Sequence, residues 1–455
     1  MTPQQPDRQM LNNFRYQELE FAKDGSVVHP EQAAAVAGLA ASVTDLIVMS
    51  HGWNNNIDEA RDLYRELTAS MNTVLPSAPI ALGGRSIGIL GVLWPSKRFT
   101  DAELIPGGAA GLVADPTLPD DLRAMGDAFA ADDAEATLNR AAELADQLDV
   151  SVDARNEFAD VLRSLIRPAS AEPADAADEL FSLSGDDLLA RLQNAMIAAM
   201  TGLPAVGGPG GIGGVQALPA EGLGQGGVGG GGIGGAAGLF DGISAIWSKG
   251  RALLNYLTYY TMKDRAGDIG ANSLGPILAA SVVGKTRLHL VGHSFGARLV
   301  TAAANSLPAA GSVSSISLLQ GAFSHNSFAV DWVPGQNGGF RHLIDDKCIT
   351  GPMIITHTRN DRAVGIAYAI ASSIAGQNAE DVGDANSQFG GLGSNGAQHT
   401  PEANNGQPLQ AAGADYTFDN QVVYNLLADQ FISGHGDVTN VAVANAILQA
   451  VGSAP

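Results

Sequence analysis

The chain has 455 residues, 45% of them apolar, which suits one large α/β domain with insertions or two to three smaller domains and excludes a disordered chain. Its net charge of -22, from 47 acidic and 25 basic residues, argues against nucleic acid or an anionic membrane surface as partner, because both select basic patches. Cys348 is the only cysteine, so neither an intramolecular disulfide nor a cysteine-based zinc site can form, and no run of eighteen apolar residues predicts a transmembrane helix.

Taken in chain order, the opening MTPQQPDRQMLNNF has no basic segment leading into an apolar one. No secretory signal is therefore expected and the default location is cytoplasmic, with non-classical export left open. Residues 14–28 read as two short strands around a Lys-Asp-Gly turn, and 30–43 as a helix. DLIVMSHGWNNN at 45–56 opens as a β-branched apolar run suited to a buried strand. The segment that follows puts Ala60, Leu63, Leu67 and Met71 on one helical face, and SIGILGVLWPS at 86–96 is a second buried strand. Strand, helix, strand in this order predicts a right-handed parallel crossover.

Residues 97–200 change character. They hold 21 acidic and 8 basic residues, so more than half of the net charge falls here. The apolar triplets Leu122/Met125/Phe129, Phe158/Leu162/Leu165 and Leu188/Leu192/Met196 predict amphipathic helices with solvated charged faces. Ser184 and Asp187 form a capping box at the start of the last one. The glycine-dense stretch 202–240 is expected to be a flexible linker or loosely packed loop, since glycine loses the most backbone entropy on ordering. No Lys-Ser/Thr closes a phosphate loop there. Helical pattern returns over 244–282. Strands are then expected at 286–292, 313–320 and 352–358, with helices at 296–307 and 363–375. A polar stretch at 376–413 precedes a last strand within 421–431 and a helix at 438–451.

Gly-His-Ser-Phe-Gly at 292–296 sits where that alternation passes from strand to helix. With 56 glycines in the chain, the match alone could arise by chance, and its context decides. A serine hydroxyl is a poor nucleophile until a base takes its proton and donors hold the resulting oxyanion. The surrounding pattern offers the geometry. Gly292 and Gly296 lack side chains where strand and helix pass closely, and Ser294 is held at the tip of a sharp turn.

VGHSFG, preceded by RLHLV and followed by ARLVTAAANSL, resembles the nucleophile elbow of the α/β-hydrolase superfamily. The resemblance covers about 1–96 and 244–455. It implies an α/β fold of α/β-hydrolase type, a mostly parallel sheet flanked by helices, interrupted at 97–243 by a helical, acidic and glycine-rich insertion. An insertion ahead of the nucleophile strand is either a cap over the site or a peripheral decoration. The superfamily's chain order is Ser, acid, His. Asp361, at the end of the apolar strand in GPMIITHTRNDRAVG, is the expected acid, unless it only caps the next helix. Asp345 and Asp346 precede that strand, and Asp331 follows the preceding one by a longer loop. His435, in FISGHGDVTN after the last strand, is the expected base, with His357 and His399 as weaker alternatives. The oxyanion hole is expected from the Phe295 N–H and, by analogy with the superfamily's His-Gly loops, the Trp53 N–H, with Asn54 the other choice. Gly52 would let the backbone approach substrate, and His51 would fix this loop rather than catalyse.

The resemblance thus implies a serine-dependent carboxylic ester hydrolase, esterase- or lipase-like, acting on a small-molecule or lipid acyl ester without metal or organic cofactor. Amide or thioester cleavage would use the same residues. The rival expectation is a hydrolase-fold binding or scaffold protein that acts through its acidic helical insertion.

Overall fold

The computed structural model describes residues 9–53, 55–76, 82–96, 117–129, 131, 133–166, 177–192, 243–308, 310–361, 363–364 and 388–455. Asn54, Met196, the glycine-rich 202–240 and most of the expected helix 363–375 lie outside the described residues. The described strands are β1 (Gln9–Leu11), β2 (Phe14–Glu20), β3 (Asp45–Ser50), β4 (Ile87–Leu93), β5 (Arg287–His293), β6 (Ser315–Leu319), β7 (Met353–His357), β8 (Ala403–Pro408) and β9 (Val423–Leu427). They form one sheet in the order β1-β2-β4-β3-β5-β6-β7-β9-β8. Only β1 and β2 run antiparallel; every other neighbouring pair is parallel.

The fold class is therefore α/β, with a mostly parallel sheet between helices. A central parallel strand is covered on both faces, so it reads as an apolar run rather than an alternation. All six residues of β3 and all five of β6 are buried. One face carries the helix Ile57–Val74 and the helix Val441–Ser453, which touch each other. The other carries the helices Pro30–Ala40, Gly275–Ser281 and Phe295–Asn305.

The helix Ile57–Val74 starts where local chemistry dictates. The Asn56 side chain accepts the Glu59 N–H at 2.8 Å, and the Glu59 carboxylate accepts the Asn56 N–H at 2.7 Å. Its buried face is Ala60, Tyr64, Leu67, Thr68, Met71 and Val74, while Leu63 is only partly buried. Three of the four expected positions, Ala60, Leu67 and Met71, are on the buried face, and Tyr64 takes the place of Leu63, its hydroxyl engaged in hydrogen bonds described below.

Two further expectations change. Residues 14–28 hold one strand, not two: β2 ends at Glu20, and a single Phe21–Val27 bridge closes the turn that follows. The polar stretch 376–413 contains β8, whose sequence ANNGQP is mostly exposed and has no apolar alternation. It is an edge strand held by backbone pairing to β9 alone, so nothing in its side chains announces it.

Contacts divide the chain into two compact units. The first comprises Met1–Lys97, Met262–Gly365 and Gly390–Pro455, and the second Arg98–Thr261 and Ile366–Phe389. The first holds the sheet. The boundary at Thr261/Met262 falls within the helix Ile243–Ile269, later than the expected end of the insertion at 243. Inside the second unit, the first turns of that helix pack on the acidic helices. Trp247 Nε1 donates to the Ala145 carbonyl at 3.1 Å, Arg251 pairs with Asp121 at 2.5 Å, and Gly250 lies against Leu118 and Phe158. The expected core positions Leu122, Met125, Phe129, Phe158, Leu162, Leu165, Leu188 and Leu192 are all buried. The Ser184 hydroxyl accepts the Asp187 N–H at 3.1 Å and donates to its carboxylate at 2.7 Å.

Candidate active site

Five neighbouring strands bring polar groups to one edge of the sheet, the C-terminal ends where open parallel sheets gather their ligands. β5 ends at Ser294, β7 leads to Asp361, β9 leads to His435, β3 leads to His51–Trp53, and β6 ends at Gln320.

Ser294 sits between β5 and the helix Phe295–Asn305 with φ 57° and ψ −124°, a conformation that L-residues rarely adopt. Such a backbone costs on the order of 1–3 kcal/mol and persists only where its surroundings enforce it. Here the Ser294 N–H donates to the Leu319 carbonyl at 3.0 Å, and its own carbonyl accepts the Ala297 and Ala322 N–H groups at 3.1 and 3.2 Å. Close approach of the backbone completes the restraint. A Cβ on Gly296 would stand 2.2 Å from the Ser50 carbonyl oxygen and 2.4 Å from that of His51. One on Gly292 would meet Ala297 Cα at 2.4 Å. Since these obstacles are backbone atoms, Gly296→Ala is expected to lower the free energy of unfolding by about 3 kcal/mol. Urea titration measures this, and a loss under about 1 kcal/mol would show that strand and helix can part freely.

The Ser294 hydroxyl lies 2.8 Å from His435 Nε2, and His435 Nδ1 lies 2.8 Å from Asp361 Oδ2. The carboxylate can only accept, so Nδ1 carries the proton, Nε2 is the acceptor, and the serine donates to it. Asp361 is anchored by two more donors, the Val364 N–H on Oδ1 and Gln320 Nε2 on Oδ2, both at 3.1 Å. Burial pushes the Asp361 carboxyl up, but His435 beside it and these hydrogen bonds outweigh that and hold it below the usual carboxylate range. For His435, burial works downward, yet the Asp361 charge and hydrogen bond prevail and raise it above an ordinary histidine.

The β3 loop meets Ser294 closely. A Cβ on Gly52 would lie 2.5 Å from Ser294 Cβ, so only glycine allows this approach. His51, fully buried, holds the loop. The Trp94 N–H donates to its Nε2 at 3.2 Å, which leaves the proton on Nδ1 to donate to the Gly52 carbonyl at 2.9 Å. Trp94 Nε1 donates to the His51 carbonyl, and the His51 N–H donates to the Tyr64 hydroxyl, which in turn donates to the Val92 carbonyl. Burial drives the His51 imidazole down to about 4, so it stays neutral. Of the two expected oxyanion donors, Phe295 follows Ser294 in the chain, and Trp53 follows the Gly52 that approaches it. Phe295 opens the helix, where N–H groups point beyond its N-terminus, and the Trp53 and Phe295 rings lie 5.9 Å apart.

The other acids and bases stand elsewhere. Asp345 pairs with Arg341 at 2.7 Å, and Asp331 accepts the Gly335 N–H in a turn. His357 is within β7, and His399 Nδ1 bonds Asn326 Oδ1 at 2.9 Å. Three contributors escaped sequence reasoning. Ser96 donates to the Gly52 and Asn55 carbonyls at 2.9 and 3.0 Å, bracing the β3 loop. Gln320, fully buried, braces the acid and also donates to the Gly393 carbonyl at 2.9 Å. His293 donates from Nε2 to the His435 carbonyl at 2.8 Å. Gln320 was within reach of the rule that found Asp361, a polar residue closing an apolar strand.

Among the described residues no group of three His, Cys, Asp or Glu is placed to hold a metal ion, and no helix is long and apolar enough to cross a membrane. No protein-family model matches the chain, and no curated protein or solved structure matches it either. The site's own geometry therefore carries the functional argument.

Proposed function

We propose that the protein is a serine hydrolase of the α/β-hydrolase type that cleaves carboxylic esters. The observation that carries this reading is the hydrogen-bond chain Ser294–His435–Asp361, with both links at 2.8 Å and the serine on a strained turn between strand and helix. Ser294 Oγ attacks the acyl carbonyl carbon while His435 Nε2 takes its proton. Asp361 keeps the Nδ1 proton in place and balances the imidazolium charge. The Phe295 and Trp53 N–H groups receive the oxyanion, each such donor being worth about 100-fold or more in rate. As the intermediate collapses, the alkoxide leaves with the proton from His435, and Ser294 keeps the acyl group. Water then attacks that acyl carbon, gives its proton to His435, and releases the carboxylic acid as Ser294 takes the proton back.

Fluorophosphonate labelling tests the reading directly. The wild-type protein is expected to take up one equivalent at Ser294 and to hydrolyse members of a panel of p-nitrophenyl esters of graded chain length. Ser294→Ala should do neither. A folded wild-type protein that is neither labelled nor active on any ester would overturn the proposal and favour a binding role instead.

A further inference from the structure

We infer that His293, which the hydrolytic scheme leaves unused, is a positioning residue that sets the place of His435 from behind. The inference rests on the hydrolase reading above. Three observations converge on it. The His293 ring is buried at 6% exposure, and its Nε2–H donates to the His435 backbone carbonyl at 2.8 Å, joining positions 142 residues apart in sequence. Its ring centroid lies 4.9 Å from that of His435, at 42°, so it also contacts the imidazole it holds. It is the residue before Ser294, at the end of β5, so its own position is fixed by the strand that presents the nucleophile. One side chain thus ties the base to the nucleophile's own backbone, and their separation cannot drift without breaking this bond.

The other hydrogen bonds of the loop that carries His435 are made beside it rather than at it: Asn360 donates to the Ile432 carbonyl, Asn440 to the Asp437 carbonyl, and the Asp437 N–H to the Gly434 carbonyl. Residues 433–437 form a short polar turn in which the Ser433 N–H and hydroxyl bind Asp437. Asp361 fixes the far side of the imidazole, at Nδ1. His293 fixes the backbone from which the ring hangs. A ring held at both points keeps Nε2 within hydrogen-bonding reach of Ser294 Oγ, and loss of either should let it swing.

The fold tolerates a poor environment to keep this group. With Nε2 donating, Nδ1 is an unprotonated acceptor that finds no hydrogen-bond partner among the described residues, and it faces Gly52, where a Cβ would lie 3.2 Å away. The titratable groups around the ring are His435, Asp361 and His51. Burial first, and His435 next, drive the imidazole down to about 3, so the donor stays neutral across the working range. An apolar residue of similar size would be easier to bury, which is the signature of a group kept for function rather than stability.

The test compares His293→Leu with His293→Gln, whose amide nitrogen can reach the same carbonyl. On an ester that the wild type turns over, His293→Leu is expected to lose about 10- to 100-fold in kcat, with KM within about twofold, as the base loses its alignment. His293→Gln should recover most of that loss. At the same time the stability of His293→Leu relative to wild type should improve as pH falls from 7.5 to 5, because one buried neutral imidazole is gone. A purely structural histidine would not pair slower chemistry with better acid tolerance. If His293→Leu fails to fold, His293→Asn, too short to reach the carbonyl, takes its place against His293→Gln. Equal kcat for Gln and the non-reaching variant, or wild-type kcat in His293→Leu, overturns the inference while wild-type turnover leaves the hydrolase reading intact. A wild type inert to every ester would instead remove that reading.

Discussion

His435→Ala is expected to lower kcat on a reactive ester by about 10⁶-fold, and Asp361→Asn by about 10⁴-fold, with KM changed little in either. The magnitudes are those of other enzymes with this side-chain arrangement; the reason for the difference lies in this site. Without His435 the Ser294 hydroxyl loses the acceptor it bonds among the described residues, and it must attack unassisted. Without the Asp361 charge the imidazole remains but is wrongly instructed. Oδ2 of Asp361 accepts from both His435 Nδ1 and Gln320 Nε2, and Oδ1 accepts from the Val364 N–H. An asparagine there has one oxygen for three donors. With its NH₂ toward His435 it donates to Nδ1, forcing the proton onto Nε2, where it faces Ser294 and blocks base catalysis. With its NH₂ toward Val364 it leaves a buried donor unpaired. Both arrangements cost rate or stability.

The same charge sets the pH profile. His435 acts as a base only when neutral, and it is held above the ordinary value of 6.5 by Asp361 against the pull of burial. The logarithm of kcat/KM should therefore fall with unit slope as pH drops through a value above 6.5. In Asp361→Asn the residual activity should extend to lower pH, since the neighbour that favoured the imidazolium is gone. Steady-state kinetics from pH 5 to 9 measure both. More than about 1% of wild-type kcat in His435→Ala, or an unshifted profile in Asp361→Asn, would contradict these assignments.

What could be read from the sequence, and what could not, follows from where each interaction is encoded. β3 and β5 are apolar runs because central parallel strands are buried on both faces, and Asp361 and Ser294 were visible as polar residues closing such runs. Strand edges in an α/β sheet concentrate chemistry, so a residue's place at the end of a run already carries meaning. The bracing residues had no such local mark. The Gln320–Asp361 bond spans 41 positions and the His293–His435 bond 142, and each is a single hydrogen bond between elements whose neighbourhood only the sheet order reveals. Tyr64 shows the same limit. A helical stripe of Ala60, Leu63, Leu67 and Met71 satisfies periodicity, but the His51 N–H needs an acceptor in the core, and the Tyr64 hydroxyl meets that need from the buried face where Leu63 was expected. β8 was missed because an edge strand is defined by its partner's backbone rather than by its own side chains.

Acid is expected to unfold the protein between about pH 6 and pH 4, for reasons that sit in the same site. His51 and His293 are neutral in the fold, driven by burial to about 4 and about 3. In the unfolded chain both take a proton near 6.5. Above that pH neither state is charged and the two histidines cost nothing. Below it the unfolded state binds protons that the fold refuses, and each histidine removes about 1.4 kcal/mol of stability per pH unit until its folded value is reached. By pH 4 the pair would have removed roughly 7 kcal/mol, comparable to the whole stability of many folded proteins. His289, held between Ser315 and Asp45 near the N-terminal end of the sheet, and His357 in β7 are also lowered by burial and act in the same direction. Asp361 and Asp45, both held low in the fold, contribute stability at neutral pH that is lost in turn as pH falls towards their folded values. His435 opposes, because its raised value gives stability that is present below 6.5 and lost as pH rises. Urea titrations at pH 7.5, 6.5, 5.5 and 4.5 should show the unfolding free energy fall at every step below 6.5. A constant value down to pH 4.5 would mean that these imidazoles accept protons within the fold and would overturn the expectation. Activity and structure should then fail in sequence. On the proposed function, protonation of His435 near pH 6 should silence a still folded protein, and a jump to pH 7.5 should restore turnover at the rate of proton transfer. Near pH 4 the buried histidines have opened the fold, and recovery waits on refolding.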